Sequence, residues 1–205
     1  MKKLVLKTAV ITLGVTVILA LAAFGIVSLI APGQMMRLAF SLGLERIGAD
    51  YAYQEYERSG DVECLARSFE VCAVRGYDDN AADTRFELLY TQNADAFAAL
   101  AETRNEQSNV VDYDYRDYIV GLGVCVKYRL ASDEAAWDAA IGLAFSETDA
   151  DFPAGNPVIA LAVEAAEAED AAFCGRLLDA MKTSEFEITS DFINIVTILE
   201  GIANE

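Results

Sequence analysis

The stretch YERSGDVECLARSFEVCAVRG, residues 56–76, decides the fold of this chain. Asp61 is placed to cap a helix N-terminus within it, and Gly76 is placed to end that helix. Its apolar residues recur at helical spacing and form one face of the helix: Val62, Leu65, Ala66, Phe69, Cys72 and Ala73. Strand-type alternation appears nowhere, so the chain is predicted to be all-α.

The beginning of this stretch, YERSGD at 56–61, recurs along the chain. The copies are YTQNAD at 90–95, YRLASD at 128–133 and a fainter AAEAED at 165–170. Each copy is expected to end one helix, turn at a small residue and cap the next helix with an acid. A period in the thirties is typical of stacked helical hairpins, because each hairpin buries its apolar face only against a neighbour.

The pattern resembles the tetratricopeptide repeat family over about residues 46–183. In that family a tyrosine precedes a glycine by four residues, and small and aromatic residues line the second helix. The positions match as follows: Tyr56, Gly60, Phe69 and Cys72 in copy one, Tyr90, Ala94 and Ala99 in copy two, and Tyr128, Cys125 and a one-residue-shifted Ala136 in copy three. The family's tryptophan and its repeat-ending proline are missing from every copy. The resemblance implies an α-solenoid-like array that binds proteins or peptides.

The repeat predicts a detailed helical map of the chain. Hairpins are expected over roughly 46–75, 80–106, 113–146 and 156–183, with Asn156 and Pro157 opening the last of these. A connector helix from about residue 34 precedes them. A helix near 190–203 is expected to cover the open end of the array.

The N-terminal segment has a different composition from the rest. Residues 8–31 carry no charge and follow three lysines, so they are predicted to be a single-pass transmembrane helix that contacts the lipid bilayer. Residues 1–7 would then be a cytoplasmic stub, and residues 32–205 an extracytoplasmic helical-repeat domain. The alternative is a signal peptide cleaved near Ala22, which would release a secreted protein.

Small residues recur every four positions within this apolar run, at Thr12, Thr16 and Ala20. At that spacing they lie on one helix face and would let two membrane helices approach closely. They are the predicted contact for a second functional hypothesis, in which the chain is a structural subunit of a membrane complex.

The remainder of the chain is strongly acidic. The first 31 residues hold three of the 15 basic residues and no acid, so the other 174 residues carry 12 basic against 33 acidic residues, a net charge of −21. That charge repels nucleic acid, which excludes a nucleic-acid partner. The acidity and the predicted anchor are consistent with a bacterial cell envelope.

The four cysteines are interpreted as small core residues. Cys64 and Cys72 lie eight residues apart on one predicted helix, which is roughly 12 Å and too far for a disulfide. Cys125 and Cys174 belong to different hairpins. Disulfides, a reactive thiol and metal binding remain as alternatives.

Histidine is absent, which removes the commonest general base and metal ligand. Carboxylate pairs at Asp78–Asp79 and within 147–151 could in principle serve acid–base chemistry, and Glu147, Asp149 and Asp151 alternate as in a calcium loop. Both candidates lie in predicted turns, where acids cap helices and face water, and the second lacks the glycine and the distant glutamate of an EF-hand. The protein is therefore predicted to be no enzyme and to need no cofactor.

The most unusual local stretch is DYDYRDY, residues 112–118. Tyrosine and arginine are enriched at binding hot spots, so Tyr113, Tyr115, Arg116 and Tyr118 are the candidate partner-binding residues. The alternative is that Tyr115 and Tyr118 only pack between repeats. The leading functional hypothesis is a membrane-anchored scaffold or adaptor for a protein or peptide partner; its oligomeric state is left open.

Overall fold

The structure is a computed structural model that describes residues 12–19, 22, 25–27, 30–110, 113–147, 156–183 and 190–204. From residue 32 on, these residues form a series of α-helices and a π-helix at Leu88–Gln92. The α-helices are α1 Pro32–Ser41, α2 Glu45–Ser59, α3 Val62–Arg75, α4 Asp79–Glu87, α5 Ala94–Gln107, α6 Tyr115–Leu130, α7 Glu134–Ser146, α8 Pro157–Glu167, α9 Ala171–Thr183 and α10 Ser190–Ala203. No strand occurs in the described ranges, which confirms the all-α prediction.

The capping residues predicted for the central stretch are in place. The Asp61 side chain accepts a hydrogen bond from the Glu63 backbone N–H at 3.0 Å, at the start of α3. Gly76 ends this helix with φ at +58°, and Gly60 ends α2 with φ at +73°, conformations that glycine adopts without a steric penalty. Local chemistry therefore fixes the bounds of α3.

Three of the four predicted hairpins are packed helix pairs, α2–α3, α6–α7 and α8–α9. In the second, over 80–106, α5 contacts the π-helix and not α4. Helices α1 and α10 lie where the connector and end helices are expected. Neighbouring hairpins pack through α3 against α4, α4 against α6, and α6 against α8. Helix α6 lies at the centre of the array and contacts α3, α4, α5, α7 and α8. The described helices thus pack against their neighbours in a way that is compatible with a helical repeat array.

The repeat tyrosines join successive hairpins. The Tyr56 hydroxyl accepts a hydrogen bond from Asn93, in the turn of the next hairpin, at 2.8 Å. The Tyr128 hydroxyl lies 3.3 Å from Asp170, which caps α9 in the turn of the following hairpin. Tyr90 departs from this pattern because it lies in the π-helix, whose extra residue per turn changes the direction of its side chain.

The transmembrane helix predicted over 8–31 is the main correction. Within the part of the chain that the structure describes, no helix combines the length and the apolar composition that crossing a bilayer requires. The prediction rested on hydropathy, which records only the composition of the segment. The predicted stub, residues 1–7, lies outside the described residues.

The boundary at Pro32 separates two helical segments. Ala31 has non-helical backbone angles, with φ at −134° and ψ at 58°, and α1 begins at Pro32. The Gly33 N–H donates to the Glu55 carboxylate at 2.8 Å, so α2 supplies the cap for α1. Arg58 pairs with the same carboxylate and lowers its pKa. These contacts dock α1 against the first hairpin.

All four cysteines are free and buried, which confirms their interpretation as core residues: Cys64, Cys72, Cys125 and Cys174. Burial raises the pKa of the Cys125 thiol to about 12. The pKa of Cys64 rises to about 12 through burial and the nearby Asp61 carboxylate. Both thiols therefore remain protonated at neutral pH and are poor nucleophiles.

We expect the native protein to react with a thiol reagent such as DTNB far more slowly than the unfolded chain, because its four thiols are buried. Reaction at about pH 8, followed by absorbance with and without guanidinium, measures this. In guanidinium without reductant, all four thiols should titrate. Recovery of two or none would reveal disulfides and contradict this arrangement.

Candidate functional site

One face of α3 is left open beside the core face. Arg67, Glu70, Val71 and Val74 follow each other at spacings of three, one and three residues, so they share this face. All four line an open groove between α3 and its neighbours. Opposite them stand tyrosines from the beginning of α6.

The groove has two connected parts. The larger part is about 610 Å³ in volume and runs between α3, the end of α5 and the beginning of α6; its lining includes Arg67, Glu70, Arg104, Gln107, Tyr113 and Tyr115. The smaller part is about 330 Å³ and extends toward α1; its lining includes Phe40, Glu45, Val74, Arg75 and Tyr118. Arg67 and Glu70 line both parts and so mark their junction.

The N-terminal cap of α6 holds the groove tyrosines in position. The Asp114 side chain accepts hydrogen bonds from the Arg116 and Asp117 backbone N–H groups at 2.7 and 3.2 Å. The Asn105 side chain of α5 accepts from the Tyr115 N–H at 2.7 Å. Because side chains satisfy these helix-end N–H groups, and one of them belongs to α5, the start of α6 is fixed against α5.

The three tyrosines form one aromatic cluster. The Tyr118 ring centroid lies 6.3 Å from those of both Tyr113 and Tyr115. Tyr115 is buried, whereas Tyr113 and Tyr118 are half-buried and face the groove. The Tyr118 hydroxyl lies 3.2 Å from a Glu70 carboxylate oxygen and donates to it. The cluster therefore combines aromatic surface with a fixed polar group.

Burial first, and the Glu70 carboxylate second, raise the pKa of Tyr113, Tyr115 and Tyr118. Ionising any of these hydroxyls would place a second negative charge near Glu70 in a partly desolvated site. The tyrosine hydroxyls are therefore hydrogen-bond donors throughout the physiological pH range.

We expect the free energy of unfolding to fall as the pH rises above about 10. In the unfolded chain these tyrosines ionise near their ordinary pKa of 10.0, whereas the folded protein keeps the protons of Tyr115 and Tyr118. Their contribution is fully present below that pH and is lost as the pH rises through the raised folded values. Urea unfolding between about pH 8 and 11 measures the slope, which should be shallower in Tyr118→Phe. Equal slopes in the two proteins would contradict the raised pKa.

The arginines of the groove differ in their partners. Arg75 pairs with Glu45 at 2.8 Å, and Arg104 pairs with Glu63 at 2.6 Å. Arg67 lies over the Phe40 ring, 4.1 Å from its centroid, and makes no ion pair with any residue that the structure describes. An exposed guanidinium in an aromatic groove is thus left for contact with a ligand.

Arg116 does not line this groove, although the sequence places it among the tyrosines. Its guanidinium pairs with Glu147 at 2.7 Å and lies 5.7 Å from the Tyr90 ring centroid. The Tyr90 hydroxyl donates to the same carboxylate at 2.6 Å, and burial together with this bond raises the Tyr90 pKa to about 12. Arg116 therefore ties α6 to the π-helix and to the end of α7.

The acids considered for catalysis and calcium binding have other partners where they are described. Asp78 caps α4 by accepting from the Ala81 N–H at 3.0 Å, and Asp79 pairs with Arg129. Glu147 is shared between Arg116 and Tyr90. Asp149 and Asp151 lie outside the described residues. In the described ranges no group of three potential metal ligands comes together.

Thr12 and Thr16 lie in the described helical stretch 12–19, where both are exposed. The Thr16 hydroxyl donates to the Thr12 carbonyl at 2.9 Å, within the same stretch. Ala20, the third residue of this predicted contact, lies outside the described residues.

The tyrosines of the groove were predicted from the sequence, whereas Arg67, Glu70 and Arg104 were not. A weak signal exists, because Arg67 and Glu70 share a helix face with Val71 and Val74, beside the apolar stripe of α3. Arg104 gives no such signal. Its proximity to Tyr115, whose ring centroid lies 5.9 Å from the guanidinium carbon, depends on how α5 packs against α6.

Comparison with protein-family models, with curated proteins and with solved structures finds no match to this chain. Function has to be inferred from the groove itself.

Proposed function

We propose that this chain is a tetratricopeptide-like helical-hairpin scaffold that binds a protein or peptide partner in the groove between α3, α5 and α6. The observation that carries the proposal is the juxtaposition of the half-buried tyrosines, Tyr113 and Tyr118, with the unpaired Arg67. Tyrosine and arginine supply large contact areas and directed hydrogen bonds, and they dominate binding energy at protein interfaces.

The dimensions of the groove favour a peptide segment. Its two parts run end to end along α3, with the larger measuring about 610 Å³ and the smaller about 330 Å³. Both parts are open to solvent, and each is lined by polar and apolar residues. An elongated, mixed lining suits an extended chain that places side chains at intervals.

The hairpin arrangement supports the same proposal. Successive hairpins packed against their neighbours create a rigid surface built from several helices, and such arrays offer extended binding surfaces. The repeat tyrosines Tyr56 and Tyr128 hold neighbouring hairpins together, as a stacked array needs. The net charge of −21 over residues 32–205 opposes a nucleic-acid partner. We therefore propose binding and not catalysis as the role of this chain.

Selection of a random-peptide phage library on the immobilised full chain tests the proposal. We expect peptides to be enriched, and Tyr113→Ala to weaken their binding at least about tenfold, because removing an aromatic hot spot typically has that effect. Titration of a labelled synthetic version of the most enriched peptide, followed by fluorescence anisotropy, gives the affinities.

Tyr51→Ala is the matched control. Tyr51 is also half-buried, lies on α2, packs against the small cluster of Met36, Ala52 and Cys64, and does not line the groove. Its loss should leave the peptide affinity unchanged while testing the effect of removing a tyrosine on folding. Failure to enrich any peptide, or equal weakening by both variants, would argue against the groove as a binding site.

A further inference from the structure

Arg67 and Glu70 carry opposite charges and lie three residues apart on α3, a spacing at which such side chains ordinarily pair. They do not pair with each other. Arg67 is held over the Phe40 ring at 4.1 Å, and Glu70 accepts from the Tyr118 hydroxyl at 3.2 Å. An aromatic residue on each side therefore keeps the two charges separate and open to the groove.

Both charged groups lie at the junction of the two parts of the groove. The other charges along this groove are already matched, since Arg75 pairs with Glu45 and Arg104 with Glu63. Glu70 is half-buried and makes no ion pair with a described residue. The groove thus presents one positive and one negative group, about one helical turn apart.

We propose that the partner is a peptide segment that presents one acidic and one basic side chain on the same side, the acid binding Arg67 and the base binding Glu70. This inference rests on the proposed function, because it specifies the chemistry of the ligand in the same groove. Hydrogen bonds between oppositely charged groups are among the stronger polar contacts, and a planar guanidinium matches a carboxylate in geometry.

Long-range electrostatics favour the same ligand. A strongly acidic segment would be repelled by the net charge of −21 carried by residues 32–205, and a strongly basic one would bind anywhere on that surface. A segment with balanced charges experiences neither effect. It gains affinity only where a positive and a negative group of the protein lie in the order that matches the acid and the base of the peptide.

The test uses the full chain and synthetic peptides derived from the random-peptide phage selection. We expect the enriched peptides to share an acid and a base at a fixed spacing. Arg67→Met should weaken a representative peptide about tenfold, because a charge-assisted hydrogen bond is lost. The same weakening should follow when the acid of the peptide is changed to its amide.

The effects of Arg67→Met and of the acid-to-amide change in the peptide on the binding free energy should not be additive. A peptide that lacks the acid should bind Arg67→Met and the original protein equally, and a peptide that lacks the base should be insensitive to Glu70→Gln in the same way. Arg46→Met is the matched control, since Arg46 is an exposed arginine of α2 that does not line the groove. It should leave every affinity unchanged.

The outcomes separate the two proposals. This inference is overturned if the peptides that respond to Tyr113→Ala share no acid–base pair. It is also overturned if the effects of the protein variant and of the peptide change on affinity are additive. In both cases the groove remains a binding site. A failure to enrich any peptide overturns both. The double variant Arg67→Glu, Glu70→Arg exchanges the two charges. It should select peptides with the acid and the base in reversed order.

Discussion

Replacing Arg129 with methionine is expected to lower the free energy of unfolding by about 3 kcal/mol, because it leaves partly buried carboxylates without a partner. Arg129 lies near the end of α6 and donates to Asp79 of α4 at 2.8 Å and to Glu164 of α8 at 2.9 Å. It also donates to the Ala73 carbonyl, near the end of α3, at 3.2 Å. One guanidinium of the third hairpin thus contacts each of the other three.

Burial decides the size of this effect. The Arg129, Asp79 and Glu164 side chains are 25%, 25% and 30% exposed, so water screens their interaction only in part. Methionine keeps the apolar stem of arginine and its helix propensity, which isolates the loss of the guanidinium. Urea unfolding followed by circular dichroism gives the change in free energy.

Arg176→Met is the matched control for Arg129→Met. Arg176 of α9 also bridges two acids, Glu134 at 2.8 Å and Asp138 at 2.6 Å, but these side chains are 72% and 57% exposed. Exposed ion pairs contribute little, and we expect a much smaller loss of stability than that of Arg129→Met. A loss as large as that of Arg129→Met would show that burial does not distinguish the two sites.

Gly123→Ala is expected to destabilise the protein by about 2–3 kcal/mol, through overpacking at the centre of the array. A Cβ atom at position 123 would lie 2.5 Å from Cζ of the Phe86 ring, well inside van der Waals contact. The ring is fully buried and has no room to move, since it packs 5.5 Å from Phe69 and stacks 5.3 Å from Tyr90. Helices α4 and α6 would have to separate to admit the methyl group.

Two further variants test the cause. Phe86→Leu combined with Gly123→Ala should recover part of the loss, because the smaller side chain makes room for the methyl group. Gly142→Ala, in the exposed middle of α7 with no atom near its added Cβ, should stabilise the protein by roughly 0.5–1 kcal/mol through helix propensity alone. Destabilisation by both alanines, or no recovery in the double variant, would contradict a steric clash at Phe86.

The helical map followed from the sequence because its determinants are local. Asp61 and Asp133 cap helices at 3.0 and 2.9 Å, and Asn156 with Pro157 begins α8 as predicted. Such caps act within three residues, so they can be recognised without knowledge of the fold. The burial of the four cysteines followed from their position on the apolar faces of these helices.

The prediction of a transmembrane helix over 8–31 was wrong. It rested on the uncharged run of 24 residues, whereas no helix among the described residues has the length and the apolar composition to cross a bilayer. The π-helix at Leu88–Gln92 was not predicted either, because no residue in it has a distinctive preference for that conformation.

The sequence by itself determined that this chain is a series of helices and where their turns lie, because caps, turns and the apolar period act between neighbours in the chain. It also placed three tyrosines at the beginning of α6. Only the tertiary structure decided that these tyrosines face Arg67 and Glu70, which are more than 40 residues away, and that Arg116 turns toward Glu147. Those positions depend on how helices pack, and packing is set jointly by side chains far apart in the sequence.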